Sequence, residues 1–469
     1  MAWLHVRNVG KRGLGPAVLL AVALFAASAL LAASPAWLAA GASSAAARGR
    51  VGTRRTVRLA AAQAPTWLDL QSLAAETKAG AVAVAPPALT LYRDTNGWCP
   101  FCERVWIALR EKGIPHDEVL INLFDKPQWY KDMVPTELVP AVKFADSEEV
   151  VWESDAIMRR LDEAFPDTKP LFAEPERIKA SVKFADSLMN ASMGLAYSSG
   201  NFSEESLESR RAKLISAVDG LEAHLADGGP FLLGDEVSAA DLMAVPMLER
   251  YGVQLPYFPA ELRIRDPQRW PSVARWFDAM ESRPAYADRV SGDIYSWTAV
   301  APVLMRLFGG QNGTLEGAAA ERALAAEEEA ARILSGVEGG AGEALAMATK
   351  EARLEAVSKL LGNRAAVIAD ATNTEPESQK ELRRLDPSKA PVVDAALRTS
   401  ASALLAGSLP NEVPPVDAEG AAIDPADLAQ ACRYVAARLC IPRDMGAPAG
   451  AALRGALLGL ARLAERVAA

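Results

Sequence analysis

Trp98-Cys99-Pro100-Phe101-Cys102 places two thiols three positions apart in the chain. That pattern suits disulfide exchange or one half of a zinc site. The whole 469-residue chain holds four cysteines, so no disulfide framework is expected. The other two, Cys432 and Cys440, are eight apart with no histidine nearby, which argues against a zinc site there. His5, His116 and His224 are the three histidines, and none suggests a Cys–His catalytic pair. Thiol chemistry here therefore has to come from a thiolate activated without a base. Pro100 can open a helix, because the first helical residue needs no free N–H. Cys99 then lies at the helix N-terminus, where unpaired N–H groups and the helix dipole favour a thiolate.

The elements around this motif follow from periodicity and breakers. Leu89 to Arg93 alternates as a strand, Asn96-Gly97 marks a turn, and a helical pattern runs from Phe101 to Lys112 until Gly113. His116 to Asn122 reads as a second strand, and Lys126 to Met133 as a short helix started by Pro127. Leu138-Val139-Pro140-Ala141-Val142 reads as a strand entered through Pro140, a place where a cis bond is common. Val150 to Trp152 is a further strand, and Ser154 to Phe165 a helix with Ser154 as its cap. A β-α-β-α-β-β-α order with Cys-x-x-Cys after the first strand predicts an α/β thioredoxin-like domain.

Four pieces in order then resemble the cytosolic-type glutathione transferases: Trp98–Cys102, Asp125–Trp129, Leu138–Pro140 and Trp152–Ile157. The similarity is to the cysteine-type classes, namely omega, lambda and the dehydroascorbate reductases. Leu91–Asn96 with Trp98–Trp106 is similar to a plastid-targeted plant and algal subgroup. The resemblance implies glutathione as co-substrate. It assigns Cys99 as the nucleophile that forms a mixed disulfide with glutathione. It places Phe101, Lys126, Leu138, Val139, Pro140, Glu153 and Ser154 at the glutathione site. Val139, before Pro140, would pair its backbone with the cysteinyl part. Glu153 and Ser154 would hold the γ-glutamyl end, and Lys126 would face the glycyl carboxylate. Cys102 departs from the omega and lambda patterns and matches the dehydroascorbate reductases and dithiol glutaredoxins. It stands either as a second catalytic thiol that resolves the mixed disulfide or as a small buried hydrophobe. No resident metal is expected.

From Pro175 the pattern is helical. Ile178–Met193 and Glu204–Leu225 are amphipathic, and Ser238 with Asp241 forms a capping pair read as structural. Trp270–Tyr286 resembles the family's closing helix, and this domain would form one wall of an acceptor site. Tyr197, Tyr251 and Trp297 are aromatic residues that could line that wall or belong to the core. Residues 314–335, Lys350–Ala369, Asp424–Leu439 and Ala447–Val467 form a helical tail beyond the usual length of such enzymes. The expected architecture is a thioredoxin-like domain at 88–173, an all-α domain of the transferase type at 174–308 and a further helical extension at 309–469.

The front of the chain differs. Residues 1–60 hold eight Lys/Arg and no acid, with an apolar run at Ala17–Ala33 and an acid-free Ala/Arg-rich stretch at Ser43–Ala62. A signal segment followed by a transit-like segment resembles the presequence of algae with complex plastids. A secretory signal or a membrane anchor is the alternative, so residues 1–62 form a presequence that would engage a membrane before removal. Residues 63–87 read as a linker. Beyond residue 60 the chain carries 42 basic and 59 acidic residues, and that acidic body argues against nucleic-acid binding. A homodimer is compatible with this reading.

The function expected is a glutathione-dependent thiol transferase or dehydroascorbate reductase acting through Cys99. Glutathione conjugation to electrophiles is the alternative enzyme activity, disfavoured because a cysteine bonds to glutathione's thiol where a hydroxyl would donate to it. A non-catalytic ligand-binding or membrane-associated protein on the same fold is the alternative of another class.

Overall fold

The computed structural model describes residues 65–78, 85–196, 202–226, 228–309, 314–372 and 385–469. The expected presequence and Tyr197 lie outside these residues.

A four-stranded mixed sheet forms the first unit, in the order β2-β1-β3-β4. β1 (Leu89–Asp94) pairs in parallel with β2 (His116–Ile121) and antiparallel with β3 (Ala141–Phe144), and β3 pairs antiparallel with β4 (Val150–Trp152). The central strands are apolar on their buried residues: Leu89, Leu91, Val142 and Phe144 are all at most 3% exposed. The parallel β1–β2 link needs a crossover, supplied by a helix that we number α2 (Pro100–Glu111). Its face Val105, Trp106, Ala108 and Leu109 is buried, and Gly113 ends the crossover at φ +65°, a left-handed conformation suited to glycine. α3 (Gln128–Met133) and α4 (Ser154–Ala164) complete the unit, which is thioredoxin-like as the element order predicts.

An all-α region follows: α5 (Pro175–Ala196), α6 (Glu204–Ala226), α7 (Ala239–Gln254), α8 (Pro271–Glu281), α9 (Pro284–Ala287) and α10 (Ile294–Gly309). α7 is buried on nearly every face, so it has no polar stripe and holds its end by the capping box of Ser238 and Asp241. Asp241 accepts from the backbone N–H of Leu232 and Ser238 and from Trp276 Nε1, at 2.9–3.0 Å, so its role is structural. One hydrophobic core joins α2, the sheet and α5–α8.

The extension comprises α11 (Gly317–Gly339), α12 (Ala341–Met347), α13 (Lys350–Thr372), α14 (Ala390–Ala406), α15 (Pro425–Arg438) and α16 (Ala447–Ala468). It has its own core, built chiefly of alanine, leucine and valine. Residues 63–87, expected as a linker, contain a helix, α1 (Trp67–Lys78), that belongs to this second core. Leu70 is fully buried there, and Trp67 Nε1 donates to Asp394 at 2.7 Å. The composition of 63–87 looks like a linker because most of its alanines flank the short helix α1, and its partner helices begin more than 270 residues further on.

Among the described residues no helix is long and apolar enough to cross a membrane.

Candidate functional site

The strand register gathers the candidate segments at one end of the sheet. β1 ends at Asp94 and leads through the Gly97 turn to Cys99. β3 starts at Ala141, paired with Tyr92, so Pro140 stands beside the end of β1. β4 ends at Trp152, paired with Ala141, so Glu153 and Ser154 emerge next to Pro140. β2 ends at Ile121, opposite Asp94, and the chain that carries Lys126 leaves from the same end. Four loops distant in sequence thus surround the N-terminus of α2.

Cys99 is the N-cap residue of α2, in an extended conformation, and Pro100 is the first helical residue. Cys99 is 7% exposed and Cys102, one turn on, is 1% exposed. Burial, followed by a hydrogen bond with Cys99, pushes the Cys102 thiol well above its ordinary range. At neutral pH Cys102 is therefore a thiol beside Cys99. Asp94 Oδ2 accepts from the Trp98 N–H at 2.8 Å and fixes the turn before the motif.

The Val139–Pro140 peptide is cis. The loop that carries it is held from inside: Tyr130 Oη donates to the Leu138 carbonyl at 2.7 Å. That bond occupies the Leu138 oxygen within the protein, while Val139 is half-buried at the sheet end. Lys126 is buried, and its ammonium donates to the Glu137 carbonyl at 2.6 Å. Burial pushes Lys126 down to about 8. Phe101 is half-buried against the main core, with the Arg104 guanidinium 5.0 Å from its ring centroid.

Glu153 is exposed and has φ +69°, a conformation few residues other than glycine adopt. It is also the N-cap of α4. Ser154, expected as the cap, is instead the first residue of the helix, and it is buried. The cap position passes to Glu153 because β4 runs directly into the helix and leaves one residue to make the turn. The exposed carboxylate of Glu153 and the first-turn N–H groups of α4 thus lie together, an arrangement suited to an amino acid's ammonium and carboxylate.

Four residues at the site are absent from the sequence reading. Glu103 and Arg250 form a buried ion pair, 2.7 Å apart and each 2% exposed. Arg250, from α7, also donates to the Trp98 carbonyl at 3.0 Å. It therefore ties the all-α region to the residue before Cys99. Glu249 approaches the same pair, and burial pushes both carboxyls up, Glu103 the more strongly. Arg104 donates to the Met243 carbonyl at 3.1 Å and lies close enough to Cys99 to interact with its charge. No periodicity signals these contacts; a glutamate and an arginine on two helices look like surface charges in the sequence alone. Tyr251 and Trp297 are at most 2% exposed, so both belong to the core and neither lines an acceptor site. Trp297 Nε1 donates to Glu249 at 2.8 Å.

The extension reaches the back of this site. Cys440 packs on the cluster of Trp98, Trp297, Val300 and Leu304. A Cβ at Gly97 would stand 3.1 Å from the Pro442 ring, so the turn and the extension fit closely. Arg289 donates to the Pro442 carbonyl at 2.8 Å.

Comparison with known proteins gives a consistent picture. Residues 98–164 match the glutathione S-transferase N-terminal domain, and residues 204–279 match the glutathione S-transferase C-terminal domain. Glutathione S-transferase DHAR2 of Arabidopsis thaliana is 32% identical over 206 residues, which cover 44% of this chain and 87% of that protein. The chloroplastic glutathione S-transferase DHAR3 of the same plant is 30% identical over 192 residues, 41% of this chain and 69% of that protein. Protein IN2-1 of Zea mays is 36% identical over 207 residues, 42% of this chain and 79% of that protein. With its Cys-x-x-Cys at the head of α2, the chain belongs to the glutathione S-transferase family and uses glutathione as co-substrate.

Proposed function

We propose that this enzyme is a glutathione-dependent thiol transferase of the dehydroascorbate reductase type. One observation carries the reading: Cys99 caps α2 at the sheet end where Pro140, Glu153 and Ser154 also emerge. The Cys99 thiolate attacks the glutathionyl sulfur of a mixed disulfide. A Cys99–glutathione disulfide forms, and the other thiolate leaves and takes a proton from solvent. A second glutathione, as thiolate, attacks that disulfide, releases oxidised glutathione and restores Cys99. With dehydroascorbate, two glutathiones supply the two electrons.

Glu153 and the N-terminus of α4 hold the γ-glutamyl end, Val139 pairs with the cysteinyl backbone, and Lys126 attracts the glycyl carboxylate. Phe101, Leu138 and Pro140 shape the surface on which glutathione lies. Conjugation of electrophiles is the lesser activity, because it needs a donor to glutathione's thiolate and Cys99 bonds to it instead. The acid-free N-terminal segment and the chloroplastic relative support a plastid location.

The full chain assayed with dehydroascorbate, with a glutathionylated disulfide and with a chlorodinitrobenzene-type electrophile tests this. Cys99→Ser is expected to lose the first two activities. If only the electrophile reacts, and Cys99→Ser improves it, the enzyme is a conjugating transferase.

A further inference from the structure

The sequence presents Cys-x-x-Cys as at most half of a metal site; the fold adds a third donor. The Sγ atoms of Cys99 and Cys102 and a carboxylate oxygen of Asp94 all lie within 4.8 Å of one another. Asp94 is 2% exposed, and its Oδ1 has no hydrogen-bond partner among the described residues. A buried carboxylate oxygen left without a partner is costly and calls for an explanation. The turn explains Oδ2, which holds the Trp98 N–H, but not Oδ1.

We propose that Asp94, Cys99 and Cys102 form a three-ligand site for a thiophilic divalent cation of the zinc type, which reversibly blocks the catalytic thiol. Tetrahedral zinc with sulfur at about 2.3 Å and oxygen at about 2.1 Å needs its donors about 3.5–3.8 Å apart. From donors within 4.8 Å of one another, the cluster reaches that spacing with side-chain adjustments of about 1 Å. Any thiol proton on Cys102 or Cys99 goes to solvent on binding, and the two thiolates and the carboxylate leave a net charge of −1 around a 2+ ion. Arg104, near Cys99, offsets that charge. Cys99 is the most exposed of the three, so the fourth position opens toward solvent on its side and admits water or the thiolate of glutathione. Magnesium and calcium, which prefer oxygen donors, are excluded by the two sulfurs.

Cobalt(II) added to the reduced full chain reads this without any activity assay, so its failure is distinct from failure of the thiol-transferase reading. The expected result is one equivalent bound, with a sulfur-to-cobalt charge-transfer band and tetrahedral visible bands, both removed by zinc and not by magnesium. Asp94→Asn keeps an oxygen for the Trp98 N–H and is expected to weaken binding by tenfold or more. Cys102→Ser should shift the charge-transfer band to half its intensity, and Cys432→Ser with Cys440→Ser should leave it intact. Absence of the band overturns the proposal. So does a band of full strength and affinity in Asp94→Asn, or one lost in the Cys432/Cys440 variant.

Discussion

Cys99 and Cys102 sit where β1 hands over to α2, whereas Cys432 lies inside α15 and Cys440 in the loop just beyond it. The first pair stands at a helix N-terminus and at the end of a sheet where four loops converge. Cys432 is fully buried among aliphatic side chains, and burial pushes its thiol strongly up; burial also raises Cys440. The residue type is the same in both regions. What differs is whether the fold brings donors, a cation and an opening to the sulfur. The extension leaves Cys432 no opening and uses Cys440 as packing behind Trp98. Its contribution to the site is mechanical: Pro442 fits against the Gly97 turn that precedes Cys99.

The largest effect expected is on disulfide exchange. Cys99→Ser should abolish it, while Cys432→Ser and Cys440→Ser should change the rate less than twofold; an equal loss in the extension variants would erase the contrast between the regions. Next is Arg250→Met, which strands a buried carboxylate and should cost about 3–5 kcal/mol in denaturant unfolding. Glu103→Gln is expected to cost less, because the Arg250 guanidinium keeps the Pro246 and Trp98 carbonyls as acceptors. A penalty as large as that of Arg250→Met would show that Glu103 is the principal partner of that cation.

Lys126 gives a pH test. Its folded value is lowered to about 8, so its charge is present below about pH 8 and lost above. Binding of S-methylglutathione, which has no free thiol, should weaken as pH rises from 7 to 9, measured by calorimetry. Lys126→Gln should bind more weakly at pH 7 and lack that decline; a parallel decline in both proteins would remove Lys126 from the site. In stability the sign is opposite. Between about 8 and 10.5 the unfolded chain holds the proton that the folded one has lost, so stability rises with pH through that window. The smallest effect is at Glu153. Glu153→Gly relieves the φ +69° conformation and should stabilise by about 1 kcal/mol while weakening glutathione binding.

The sheet, its crossover and the cap at Cys99 were legible because each rests on local chemistry. Alternation gives the strands, Pro100 opens α2 and Gly113 closes it. The cis peptide before Pro140 was legible for the same reason. Contacts that span the chain were not. Asp94 sits five residues before Cys99 and reads as a turn residue until the loop folds it toward the sulfurs. Arg250 reaches Trp98 across 152 positions, and nothing in its own helix announces that. The helix at Trp67–Lys78 reads as a linker in the sequence because what stabilises it is the distant core it joins. Helix α14 is absent from the sequence reading, although Asp386 caps the turn that leads into it, Pro391 stands in its first turn and ten of its residues are buried.

The central claim is that Cys99 carries glutathione during turnover. Intact-mass analysis of Cys102→Ser, treated with one equivalent of a glutathionylated disulfide, tests it directly. The account predicts one added glutathionyl group, located on Cys99 by peptide mapping and removed by free glutathione at the rate of turnover. Modification at Cys432 or Cys440, or no adduct in an active enzyme, would contradict it.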